Sequence, residues 1–147
     1  MRTKKTSPKI TTFLESYRSA FERLDADAIA GLFSYPLHIT GDDEQLTSAC
    51  IGSREEWIGQ LRQLLRGYRD MGFSSANILD LSVIELSPRL FLAAVHWDLR
   101  DRAKASLYDF TAVYTLVEII QSLKITAIAH NELPRLRAYL NRVSTGA

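Results

Sequence analysis

ILDLSVIELSPRLFLAAVHWDLRDRAKASLYDFTAVYTLVEIIQSLKITAIAH, residues Ile78 to His130, is the stretch on which the fold turns. Within it, Ile78–Leu86, Leu90–Leu99, Ser106–Glu118 and Leu123–His130 are dense in Val, Ile, Phe, Tyr, Trp and Thr. Those residues suit a pleated, half-buried surface. Ser87-Pro88, the charged stretch Arg100–Lys104 and a turn near Gln121-Ser122 separate them. Four strands joined by short polar connections predict an antiparallel meander. In the second strand, Phe91, Ala93, Val95, Trp97 and Leu99 are the more apolar alternate set, so that face is expected inward. His96 and Asp98 then fall on the opposite face.

Before Ile78 the apolar period is helical. After Ser7-Pro8, which suits a helix start, Ile10, Phe13, Leu14, Tyr17, Phe21 and Leu24 recur every three or four residues. Asp25 reads as the cap of a second, shorter helix with Ala28, Ile29, Leu32 and Phe33 inside, and Pro36 stops it. Leu37–Thr40 and Leu46–Ile51 read as a hairpin turning at Gly41-Asp42-Asp43. Ser53-Arg54-Glu55-Glu56 fits a capping box ahead of Trp57, Leu61, Leu64, Leu65 and Tyr68, with Gly72 placed to end that helix. Beyond His130, a last helix over Leu133–Val143 carries Leu133, Leu136, Leu140 and Val143 on one face. Helices first and a curved antiparallel sheet after them give an α+β class.

Composition bounds the function. The 147 residues hold 18 basic and 17 acidic side chains, a balance unlike the dense cationic surface that phosphates require. A nucleic-acid partner is therefore not expected. No apolar run approaches the roughly 20 residues that span a bilayer, so no membrane association is expected either. The single cysteine, Cys50, fits a reducing cytoplasm and is expected to pack as a small hydrophobe. Residues 1–9, MRTKKTSPK, read as a flexible basic tail, leaving 10–143 as one domain.

The order helix, helix, hairpin, long helix, meander resembles the nuclear transport factor 2-like superfamily, with its SnoaL-like cyclases, steroid delta-isomerases and scytalone dehydratase. The resemblance covers about residues 10 to 132. It rests on Phe13, Tyr17 and Phe21, on the segment Asp25–Phe33, on Ile51-Gly52, and on Val113–Leu116 with Leu123–Ile125. It implies a cone-shaped sheet closed by helices around an apolar pocket, and commonly a dimer; the apolar outer face of Leu92, Ala94 and His96 beside Thr111, Val113 and Thr115 predicts a homodimer paired through the sheet. The resemblance implies no single reaction. An isomerase-like site would need a phenol, a base and a protonated acid. Tyr17 matches the phenol, sixteen residues before Phe33. The base position falls near Gly41, with Asp42 adjacent but in the turn, and the acid position near Thr115, beside Tyr114.

Pocket residues follow from the inward faces. Tyr17 and Phe21 come from the first helix, Trp57 from the long helix, and Trp97, Tyr108 and Tyr114 from the meander. Large rings with few charges predict a small, mostly apolar ligand with one or two hydrogen-bonding oxygens, held by Tyr17 and Tyr114. His38, His96 and His130 lie on three different strands without ligand spacing, so no metal and no cofactor is expected. His130 closes the last strand near the expected pocket rim, beside Asn131 and Glu132. Two functions compete. A binding protein predicts an apolar interior without a catalytic set. A proton-transfer enzyme of isomerase, cyclase or dehydratase type predicts an inward titratable group.

Overall fold

The computed structural model describes residues 2–4 and 7–145. Three helical and two strand elements follow a short first strand: β1 (Arg2–Lys4), α1 (Pro8–Glu22), α2 (Ala26–Ala30), β2 (Phe33–Asp42), β3 (Leu46–Ile51) and α3 (Arg54–Met71). The meander comprises β4 (Phe73–Ser87), β5 (Leu90–Asp101), β6 (Ser106–Ile119) and β7 (Ser122–His130), and α4 (Glu132–Ser144) closes the chain. One sheet contains all the strands in the order β1-β4-β5-β6-β7-β2-β3. Every pairing is antiparallel except β2 with β7. The fold is α+β, a curved sheet with the N-terminal helices against its inner face.

Local chemistry explains the element boundaries. Pro8 opens α1, where a missing N–H costs nothing. The Asp25 carboxylate accepts the Ala28 N–H at 3.1 Å and starts α2. Ser53 Oγ accepts the Glu56 N–H at 3.2 Å, while Glu56 Oε1 reaches back to the Gly52 N–H at 3.3 Å. Gly72 terminates α3 at φ 83°, a left-handed conformation that a side chain would strain. Inward residues alternate along β5 and β6, where Phe91, Ala93, Val95 and Trp97 lie beside Leu116, Tyr114, Ala112 and Phe110 on one face of the sheet, in one continuous core with Leu99.

Several sequence expectations need correction. The proposed tail of residues 1–9 is already structured in part: Arg2–Lys4 pairs with Val83–Glu85, and α1 begins at Pro8. Met1, Lys5 and Thr6 lie outside the described residues. β2 starts at Phe33 and runs through Pro36, because its register with β7 shifts between Phe33 and His38. Proline fits at such an irregularity, where no ladder bond asks for its N–H. β4 begins at Phe73, five residues early. Ser74, Ser75 and Asn77 are poor strand formers, but the ladder to Ala76↔Leu99 and beyond holds them. The face Leu133, Leu136, Leu140 and Val143 of α4 is not buried as a set: Leu136 and Tyr139 pack on the core, while Leu133, Leu140 and Val143 are exposed. Arg135, bonded to Asp109, and Arg142, bonded to the Leu107 carbonyl, set that rotation. Cys50 lies exposed on the edge strand β3 rather than packed.

Candidate functional site

Between the inner face of the sheet and α1 and α3 lies a cavity of about 100 Å³. Five of the six residues read from the sequence line it: Tyr17, Phe21, Trp57, Trp97 and Tyr114. Helical spacing puts Tyr17 and Phe21 on one face of α1. Strand alternation puts Trp97 opposite Phe110, and places Tyr114 four residues further along β6. Tyr17 is the hub, with ring centroids 5.0 Å from Phe21, 5.4 Å from Tyr114 and 6.2 Å from Trp97. Trp97 Nε1 donates to the Tyr114 hydroxyl at 2.9 Å. Burial, reinforced by the neighbouring Tyr114, pushes the Tyr17 phenol well above its ordinary range, so it stays protonated. Trp57 Nε1 is buried without a hydrogen-bond partner.

The sixth residue, Tyr108, is not part of the wall. Its hydroxyl donates at 2.8 Å to Glu132 Oε2, which also accepts the Tyr68 hydroxyl. Tyr108 thus supports a side chain that does line the cavity. Glu132 was absent from the sequence-derived site, and it places a titratable group in the cavity wall. The residue opens α4 two positions after the last strand ends, and this turn swings its side chain back under the sheet. Burial raises the Glu132 carboxyl above the usual carboxylate range, and the two phenol hydrogen bonds oppose that shift without outweighing it. Its remaining oxygen, Oε1, has no hydrogen-bond partner among the described residues.

His130 also lines the cavity, as the rim position anticipated. Its Nδ1 accepts the Glu132 backbone N–H at 3.1 Å, which leaves Nε2 as the protonated nitrogen of a neutral ring. Burial lowers its proton affinity in the same sense. On the neighbouring strand Gly41 pairs with His130, and a Cβ there would lie 3.6 Å from the imidazole. The base position implied at Gly41 is therefore empty of a carboxyl on β2, and Asp42 is exposed. The carboxyl that does line the cavity is that of Glu132, at the start of α4 just beyond β7.

Other candidates fall outside the cavity. His38 is exposed. His96 bonds Asp109 at 2.6 Å on the outer face of the sheet, and Asp109 also binds Arg135. The His96 hydrogen bond, with Arg135 beside it, holds the Asp109 carboxyl below its ordinary range. Asp98 lies on that outer side too but is only 4% exposed, capped by Ser106 Oγ at 2.6 Å and Arg100 Nε at 2.7 Å. No group of three or more His, Cys, Asp or Glu among the described residues is placed to hold a metal ion. No helix among them is long and apolar enough to cross a membrane.

A curved sheet folded over helices, with an aromatic cavity at their junction, defines the class of cystatin-like α+β cone proteins. The family described as NTF2-like protein (DUF6841) matches residues 6–133, and the chain belongs to that family. Among solved structures, it is similar to an NTF2-like protein with a cystatin-like fold from Novosphingobium aromaticivorans, at 16% identity and a TM-score of 0.66. That match covers 90% of this chain and 86% of the other. It is also similar to an NTF-2 like protein of unknown function from Shewanella oneidensis, at 18% identity, a TM-score of 0.62, and coverage of 84% and 96%. A domain of unknown function from Nostoc punctiforme has 14% identity and a TM-score of 0.64, with coverage of 95% and 88%. At such identities the likeness is one of fold. No curated protein matches the chain.

Proposed function

We propose that the cavity binds a small, mostly apolar molecule with one polar end, seated against Glu132 and the Tyr17 and Tyr114 hydroxyls. The observation that supports this reading is a cavity wall built mostly of rings and aliphatic side chains, with Glu132, Arg18 and His130 as its few charged or titratable members. Size narrows the ligand. An apolar cavity of about 150 Å³ admits benzene, so the interior volume of about 100 Å³, open on one side, suits a short branched chain rather than fused rings buried whole. On this reading the protein works in the cytoplasm as a homodimer paired through the outer face of the sheet. There Leu92, Ala94 and Val113 are half-buried.

Ala112 provides the test. It is 1% exposed and lines the cavity, so Ala112→Leu adds three carbons into the space a ligand would use. Fragments of about four to six heavy atoms, neutral and charged, are screened by ligand-observed NMR. Binding to the wild type that disappears in a folded Ala112→Leu variant supports the reading. Binding that survives the substitution sinks it.

Glu132 favours a second reading, acid–base chemistry on the same class of molecule. A carboxyl whose proton affinity is raised by burial holds its proton to higher pH than an exposed one and can act as a general acid. Proton transfer of isomerase, cyclase or dehydratase type would then use Glu132 as the proton carrier and the two cavity hydroxyls to steady an oxygen. Exchange of a ligand's acidic C–H for deuterium, present in the wild type and absent in Glu132→Gln, is the measurement that separates catalysis from binding.

A further inference from the structure

Glu132 is a half-completed ion site. Its Oε2 carries both phenol hydrogen bonds, from Tyr68 and Tyr108, while Oε1 is without a partner on a residue that lines the cavity. Two donors converging on one oxygen favour the carboxylate form against the burial that disfavours it, so a cation at the free oxygen would complete the ionised state. No cation answers them. Among the described residues no ion pair reaches Glu132. Arg18, the guanidinium on the cavity wall, is engaged by Glu15 and Glu22. Arg135 is bound to Asp109, and Arg137 to Asp43. His130 cannot serve, because its Nδ1 accepts a backbone N–H and the ring is neutral. Glu132 is half-buried, and a carboxylate drawn that far out of water is ordinarily paired, since it loses hydration without compensation.

The remaining walls suit a positive ligand as well. Phe21, Tyr68, Phe73 and Trp97 line the cavity, and ring faces attract ammonium groups electrostatically. A neutral ligand would leave the Glu132 charge uncompensated, and an anion would oppose it. We propose that the occupant is a small organic ammonium ion, its N–H groups donating to Glu132 Oε1 and its alkyl part packed among these rings. The proposal rests on the reading of the cavity as a ligand site.

Three fragments of matched shape make the test: isobutylamine, isobutanol and isobutyrate, titrated at roughly millimolar concentration by NMR. The amine stays cationic up to about pH 10. It is expected to bind about tenfold tighter than the alcohol at pH 8, with isobutyrate weakest. Its affinity should rise as the pH is raised beyond the ordinary carboxylate range and Glu132 gives up its proton. Of the other groups lining the cavity, burial raises the Tyr17, Tyr68 and Tyr114 phenols and lowers the His130 imidazole from its ordinary value, so the same pH series in Glu132→Gln separates a His130 contribution from that of Glu132. Glu132→Gln should erase the preference for the amine while isobutanol still binds. If that variant does not fold, the pH profile of His130→Gln, whose side chain at that position cannot titrate, decides instead. Equal or tighter binding of isobutanol, or amine affinity that falls as pH rises, overturns the ammonium assignment. Under those results, loss of binding in Ala112→Leu would still leave the cavity a ligand site. Absence of binding by all three overturns both.

Discussion

Replacing Glu132 by Gln isolates the cost of burying this acid. Burial raises its folded-state proton affinity above that of the unfolded chain, whose glutamates titrate near pH 4.3. Below the unfolded value both states are protonated, and the full stability is present. Between the unfolded and folded values the native state binds more protons, so stability falls as pH rises; above the folded value the deficit is constant. Each unit of upward displacement costs about 1.4 kcal/mol, equivalent to about 3–6 °C in Tm for a domain of this size. Glutamine keeps a carbonyl for the Tyr68 and Tyr108 hydroxyls but cannot ionise. Urea denaturation of both proteins across about pH 4 to 8 should therefore show near-equal stability at the acid end. At the alkaline end Glu132→Gln should be the more stable. Taking the difference between the two proteins cancels groups such as Asp109, whose lowered proton affinity acts in the opposite sense. A difference that stays constant across the range would refute the placement of a desolvated carboxyl. One of reversed sign would mean that a protein cation already pairs with it.

Tyr17→Phe leaves the ring contacts in place and removes one hydroxyl, so it should weaken a bound fragment by up to about tenfold without unfolding the protein; unchanged affinity would make Tyr17 a packing residue. Asp98→Ala strips the partner from Ser106 and Arg100 at a buried position and should cost about 1–3 kcal/mol in chemical denaturation. A loss within experimental error would show that the Asp98 cluster is solvated. Gly72→Ala meets no atom within 4 Å but must adopt φ 83°, so a loss of about 1 kcal/mol is expected from backbone strain alone. Sedimentation at roughly micromolar concentration should show a dimer, and a species of 16.6 kDa throughout would remove the pairing through the sheet.

Much of the architecture was legible without coordinates, because the signals that carry it are local. Apolar spacing of three and four marked α1 and α3. Alternation in β5 assigned Trp97 inward, and hydroxyl or carboxylate caps at Ser53 and Asp25 set where helices begin. The aromatic wall followed from the same periodicities, since a residue on an apolar face points at whatever that face covers. Glu132 could not be found that way. It sits at a strand-to-helix junction next to exposed Asn131 and Leu133, in a sequence context that reads as solvent-facing. Its direction depends on two hydroxyls that arrive from 64 and 24 residues away, on Tyr68 and Tyr108. The exposed rotation of α4 and the cover over Asp98 are of the same kind. Each is set by a partner on another element, and the energy of such a contact appears only once the chain has brought the two together. Residue periodicity by itself determined which faces turn inward; the tertiary structure decided which charged group turns in with them.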